Sequence, residues 1–395
     1  MTTPTYFRYH SLDLSRGIAV LAILVVNIWA FALPFAAYAN PSVYGDMTGA
    51  NYWSWLLSFV LVQEKFITIF SMLFGAGVAL FVDHARARGE SAATLHYRRM
   101  AALLVIGLLH AYGLWSGDIL TVYAVLGMVL FLFLRCTDRT LLLWTLGLIG
   151  LSLLLLALFA VSLPKMSAAD LAELSEFWQP APAQIAEEIA NYRAGWWQQM
   201  QTRVPTTLEL QTMLLSFYSF RLLGQMLLGV YLYRSGFLTG RWSTSAYRWC
   251  ALFGIGMGLA MAYRGAIGNA DAGFAFAHAM GFGQLWNNVG SLIAALGYLS
   301  LFALWSQSPF APRPRQLLEQ AGRTGFTLYL GSTLLCTTLF YGHGFGLFAS
   351  LDRFALFTIV LMVWGLLLLF AHLWLARFRQ GPLEALWRYC TYGKR

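Results

Sequence analysis

Two side chains in the segment RRMAALLVIGLLHAYGLWSGDILTVYAVLG are suited to proton transfer, and both interrupt apolar stretches. His110 stands just ahead of Ser116-Gly117, a pair that fits a tight turn, and Asp118 follows that turn at once. In a helical hairpin His110 then lies roughly 9 Å below the turn, and Tyr123 on the returning helix reaches a similar depth. A histidine beside a carboxylate in a partly dry place has its tautomer fixed by that partner and can act as a general base. The structural competitor is equally strong: Asp118 complements the start of the second helix and His110 makes an ordinary interhelical hydrogen bond.

Other polar residues break apolar runs. Asn27, in RGIAVLAILVVNIWAF, follows Arg16 by a distance that puts it about 16 Å deep in a helix. An amide there can hold a carbonyl or oxyanion, or it can tie two helices together. Glu64-Lys65 precede FITIFSMLFGAGVALF, where the two can pair and snorkel. Arg221 and Gln225 are one turn apart near the middle of a run, and an arginine there must face a partner or a water-filled cavity. His278, Asn287 and Asn288 add polarity near the end of another run. Together with His110, Asp118 and Glu64 they predict a polar pocket opening outward. Arg16, Arg98, Arg99 and Arg323 fall at the opposite ends of their runs, where guanidinium groups suit phosphate.

The elements that carry these residues follow from composition. Of 395 residues 59% are hydrophobic and 11% charged, with mean hydropathy +0.61, against roughly 25% charged in soluble domains. The chain therefore reads as an all-α polytopic integral membrane protein dissolved in the lipid bilayer. Ten apolar runs are long enough to span, at about 16–38, 64–82, 99–116, 118–135, 141–163, 209–233, 247–264, 284–305, 323–342 and 355–376. With the N-terminus inside, nineteen of the 26 Lys and Arg residues, Arg8, Lys394 and Arg395 among them, fall in the inside segments. That bias predicts both termini in the cytoplasm. The first run is long enough to span and no small-residue cleavage site follows it, so it reads as a retained helix in a bacterial inner membrane. The segment 164–208 is relatively acidic and reads as an extracytoplasmic amphipathic connection between two five-helix halves, 1–163 and 209–395, of one integrated membrane domain. An odd number of spans per half would invert their topology, yet the halves share no motif.

Several classes fall away. The net charge of +9 is scattered in short groups, so nucleic-acid binding is not expected. The four cysteines form no CxxC, and no HExxH, GxSxG or Walker pattern occurs, so neither a disulfide framework nor a metal centre nor a bound cofactor is expected. The glycine string GIGMGLAMAYRGAIG follows no strand and predicts close helix packing rather than a phosphate cradle.

The segments SLDLSRGIAVLAILVVNI, EKFITIFSMLFGAG, RRMAALLVIGLLHAYGLWSGDILTVYAVLG, GRTGFTLYLGSTLLCTTLFYGHGFGLF and GPLEALWRYCTYGK resemble the YeiB-like family of bacterial inner-membrane proteins over nearly the whole chain. The opening helix is also similar to that of transmembrane acyltransferases of the heparan-α-glucosaminide N-acetyltransferase type. That second resemblance implies acyl transfer from a cytoplasmic acyl-CoA donor to an acceptor, lipid or glycan, across the membrane, and a homodimer. By motif, Asn27 in VVNI matches an active-site asparagine and Glu64 falls near an acid of those enzymes. Their histidine, shortly after the asparagine, has no counterpart between Asn27 and Tyr52, and His110 is the substitute. Three functions are therefore expected in competition. The first is an acyltransferase using His110, Asp118 and Asn27, with Arg16, Arg98, Arg99 and Arg323 on the donor phosphates and Glu64, Tyr123, Arg221, Gln225, His278, Asn287 and Asn288 lining the pocket. The others are a transporter of a small anionic or amphipathic solute and a non-catalytic lipid-binding scaffold.

Overall fold

Apolar side chains dominate almost every helix of the protein, so lipid and neighbouring helices are the only surroundings that can take them up. The computed structural model describes residues 9–393, and Arg8, Lys394 and Arg395 lie outside them. Among the described residues every regular element is helical. Fifteen helices carry the argument: α1 (His10–Ala32), α2 (Gly49–Leu61), α3 (Lys65–Ala87), α4 (Ala92–Gly113), α5 (Leu120–Phe133), α6 (Asp138–Ser162), α7 (Pro182–Arg193), α8 (Trp196–Met213), α9 (Ser219–Arg234), α10 (Thr244–Asp271), α11 (Gln284–Gln307), α12 (Pro312–Arg323), α13 (Gly325–Phe340), α14 (Arg353–Arg377) and α15 (Pro382–Tyr392). Eight helical stretches are long and apolar enough to cross a membrane, and α5 and α13 are shorter apolar helices. Each of the ten predicted runs falls on one of these.

Starts are set by local chemistry. Thr137, Ser243 and Asp352 accept the backbone N–H three residues on, capping α6, α10 and α14. Pro312 and Pro382 open α12 and α15, where their missing N–H is not needed.

The central post is α1, which packs against α3, α11, α12, α13 and α14. At the other extreme α6 buries only Leu141, Thr145 and Ala160 and turns the rest of its surface outward. Small residues let the helices touch backbone to backbone. A Cβ on Gly75 of α3 would collide with the Met226 carbonyl, and one on Gly229 of α9 with the Met72 carbonyl. The glycine string of α10 does the same against α11: Gly254 faces Gly297, and Gly258 faces Gly290 and Ala294.

Two regions differ from the sequence expectation. Residues 49–61, placed in a loop, form α2, which is separated from α3 only by a break at Glu64 in the left-handed region (φ 68°). The apolar residues Trp55, Leu56 and Phe59 bury one face of it, and its dense aromatic content conceals the helical period. The connection 164–208 is helical, as expected, but it is tied into the bundle rather than only lying on its surface. Its second part, α8, runs through a π-helical turn at Leu214–Tyr218 into α9, and α7 and α8 cap the bundle. Buried Arg203 donates to the Gly113 and Leu114 carbonyls at the end of α4 (2.6 and 3.2 Å). Arg193 donates to Phe348 O at 2.8 Å, and Glu188 accepts from Phe35 N at 2.9 Å. These orphan carbonyls and amides at helix ends need partners, and the charged residues of the connection supply them.

Candidate functional site

A cavity of about 890 Å³ opens at the end of the bundle where arginines gather. Its walls come from α1, α3, α4, α5, α12, α13 and α15. Arg16, Arg88, Arg99, Arg323 and Arg388 stand around its mouth, and Phe74, Met100, Leu103, Leu120, Tyr123 and Tyr329 line its interior. The mouth is therefore cationic and the interior apolar and aromatic. Several of the arginines are committed to local partners. Arg16 pairs with Asp13 at 3.3 Å, Arg88 with Glu90 at 2.6 Å, and Arg323 donates to Arg379 O at 2.8 Å. Arg99 is held differently, with its guanidinium 3.8 Å from the centre of the Trp387 ring and 4.8 Å from that of Phe81. Aromatic faces position it without consuming its hydrogen-bond donors.

The wall that carries Arg388 and Trp387 is the tail helix α15. Its Glu384 carboxylate accepts from Phe326 N (2.8 Å), Thr327 N (3.1 Å) and the Thr327 hydroxyl (2.5 Å), all in the first turn of α13. Trp387 Nε1 donates to Arg99 O at 2.8 Å. The tail thus satisfies amides that a helix start leaves orphaned, and it encloses the cavity in doing so.

Just beyond the interior end lies the hairpin pair. His110 Nδ1 is 2.8 Å from Asp118 Oδ1, and His110 Nε2 is 3.0 Å from Thr333 Oγ1 on α13. Asp118 Oδ2 accepts from Thr121 N at 2.9 Å. Asp118 therefore both complements the start of α5 and orients His110. The three side chains are buried. Tyr329, one turn before Thr333, is part of the cavity wall, and its ring centre is 5.5 Å from that of His110. Tyr329 thus touches both the cavity and the imidazole.

The remaining residues singled out in the sequence divide into groups. Arg16, Arg99, Arg323 and Tyr123 line the cavity, Tyr123 with its hydroxyl 2.7 Å from Ser71 Oγ. Arg98 is exposed, does not line the cavity and reaches Cys390 O of α15 at 3.5 Å. Asn27 is half-buried and joins neither the cavity lining nor the hydrogen bonds of His110. Glu64 pairs with Arg221 at 2.5 Å, and Gln225 donates to Thr68 at 3.0 Å. Lys65 does not pair with Glu64 as expected; it is fully buried and donates to Phe59 O (2.8 Å) and Asn287 Oδ1 (2.6 Å). Asn288 donates to Gln284 O, and His278 lies half-buried against Gly268. The single outward pocket expected from these residues is thus resolved into separate polar clusters. Beside Arg221, Gln225 and Asn288 is a space of only about 50 Å³. Depth along a helix was legible, but facing was not, and facing decides which clusters form.

Thr333, Tyr329, Arg88, Arg388, Trp387 and Glu384 were missed. The signal for Tyr329 and Thr333 was present: two polar residues one turn apart in the apolar run GFTLYLGSTLLC. Among the described residues no group of three or more His, Cys, Asp or Glu side chains is placed to hold a metal ion.

Comparison with known proteins adds kinship to this geometry. The Escherichia coli (strain K12) protein described as uncharacterized protein YeiB is 34% identical over 389 residues, covering 96% of this chain and 95% of the relative. The chain belongs to the YeiB-like family. Uncharacterized protein YxaH of Bacillus subtilis (strain 168) is 30% identical over 433 residues, with 99% of this chain and 96% of the relative covered. A Bacillus acidopullulyticus protein described as an uncharacterized 39.9 kDa protein in the amylase 3' region is 28% identical, with 98% and 95% covered. Residues 232–394 match the family described as protein of unknown function (DUF418), so the tail helix and most of the second half lie within it. No solved structure matches the chain.

Proposed function

We propose that this protein is a membrane acyltransferase that takes an acyl group from an acyl-CoA-type donor at its arginine-rich end, with His110 as the base of the transfer. The carrying observation is that Tyr329, a wall residue of the cavity, also packs against the imidazole of the buried His110–Asp118 pair. A cationic mouth suits the phosphates of the donor, and an apolar interior suits its acyl chain. Asp118 holds the proton on Nδ1, which leaves Nε2 bare to accept one. The bias of basic residues supports a mouth that faces the cytoplasm, and kinship with the YeiB-like family supports a bacterial inner membrane. The acceptor, a hydroxyl or amine of a lipid or glycan, then arrives from the opposite side, and the second resemblance suggests a homodimer.

The transport alternative gains little from the geometry. Glu64 neutralises Arg221, and the adjoining 50 Å³ is too small for an organic solute. The test is transfer of radiolabel from acyl-CoA to envelope lipid or glycan in membranes overproducing the protein. Incorporation that depends on the protein and falls at least 100-fold in His110→Ala supports the reading. Equal incorporation by His110→Ala, or accumulation of unaltered solute in its place, contradicts it.

A further inference from the structure

With Asp118 ionised and His110 neutral, the hydrogen bonds of His110 assign its tautomer. An ionised Asp118 only accepts, so the Nδ1 it faces at 2.8 Å carries the hydrogen. Nε2 is then a bare acceptor, and its neighbour at 3.0 Å, the Thr333 hydroxyl, must be the donor. The backbone competes weakly for that hydroxyl. Hydroxyls within a helix ordinarily bond back to a carbonyl one turn earlier, as Ser332 does to Tyr329 O and Thr338 to Leu334 O, both at 2.7 Å. Thr333 Oγ1 reaches Tyr329 O only at 3.5 Å, a longer contact than its 3.0 Å approach to the imidazole. Hydroxyl, imidazole and carboxylate thus form a relay whose carboxylate is pinned by Thr121 N. The same logic activates a serine or threonine nucleophile on other folds.

We infer that Thr333 Oγ is the nucleophile that first receives the acyl group, so that transfer proceeds through a Thr333 ester; this rests on the acyltransferase reading above. Tyr329, one turn away on the same face of α13, turns aside to admit the thioester from the cavity. Oγ attacks the thioester carbonyl carbon while Nε2 takes the hydroxyl proton. The C–S bond breaks, and that proton leaves on sulfur as the free thiol. In the second half Nε2 takes a proton from the acceptor hydroxyl or amine, whose oxygen or nitrogen attacks the ester. The bond between Thr333 Oγ and the acyl carbon breaks, and the proton returns to Oγ. Atoms and charge balance without a further reactant.

The test uses the full-length protein in detergent, incubated with radiolabelled acetyl-CoA and octanoyl-CoA without acceptor. Intact-mass measurement, hydroxylamine sensitivity and peptide mapping follow, with calorimetric binding of the same acyl-CoAs as the fold control. The expected result is one acyl group per chain on Thr333, released by hydroxylamine, retained in Thr333→Ser and absent from Thr333→Val and His110→Gln variants that still bind the donor. Donor binding and transfer to envelope acceptors without any protein-bound label, label on another residue, or wild-type transfer by Thr333→Val would overturn the Thr333 assignment and leave the acyltransferase reading standing. Absence of both donor binding and transfer would overturn the two together.

Discussion

Replacing Glu384 by alanine should loosen the tail helix from the bundle and open one wall of the cavity. The carboxylate accepts three hydrogen bonds at 2.5–3.1 Å from Phe326 and Thr327. Bonds to a charged acceptor are worth about 1.5–3 kcal/mol each, but three that share one carboxylate do not add. Water can also reach a half-buried helix start and replace part of the loss. A net cost of ~2–3 kcal/mol follows, close to the upper range for losing a helix cap. Contacts of Trp387 with Arg99 remain, so the tail should fray rather than leave. Hydrogen exchange should accelerate roughly 30-fold or more over 382–392 and the first turn of α13 if ~2 kcal/mol of local stability is lost, with exchange in α6 unchanged as an internal reference. Glu384→Gln keeps an acceptor oxygen and should lose about half as much. Unaltered exchange over 382–392 in Glu384→Ala would refute the claim that this carboxylate clamps the tail.

Three further perturbations test separate parts of the structure. Gly229→Ala should destabilise the protein by about 1–3 kcal/mol, because the added methyl meets the Met72 carbonyl and forces α3 and α9 apart; an unchanged melting temperature in detergent would contradict that packing. Burial pushes the Glu188 carboxyl up to about 7 from 4.5, so its neutral form favours folding below pH 4.5 and that contribution fades as pH rises to about 7. Glu188→Gln should therefore melt higher than wild type at pH 8, by ~1–2 kcal/mol after allowing for the half-buried position, with the gap closing by pH 4.5; a constant gap would exclude this origin. Removing Glu64 alone leaves Arg221 uncompensated and should cost about 3–5 kcal/mol, whereas the double change Glu64→Gln with Arg221→Met should cost much less. A double loss equal to the sum of the two single losses would show that the two side chains are not coupled.

The membrane character was legible because apolar runs and their charged breaks follow directly from the thickness of a bilayer. Helix packing by the α10 glycines was legible for a related reason, since close approach requires small residues at helical spacing. The hairpin pair could be read because a turn brings His110 and Asp118 together within nine residues. Thr333 could not, because it meets His110 across more than 200 residues of chain and only the facing of α13 creates the contact. The same long range hid the union of Glu384 with α13 and of Arg99 with Trp387. Local adjacency also misled: Glu64 sits in the left-handed break and Lys65 opens α3, so the two side chains diverge and each finds its partner on another helix.

The central claim is tested most directly by calorimetric titration of detergent-purified protein with acetyl-CoA and octanoyl-CoA, comparing wild type, Arg99→Ala and Arg98→Ala. Saturable binding, weakened roughly 10- to 100-fold by Arg99→Ala and unchanged by Arg98→Ala, whose side chain does not line the cavity, is the predicted result. Absence of binding to either acyl-CoA, or equal affinities in all three proteins, would contradict a donor site in the arginine-rimmed cavity.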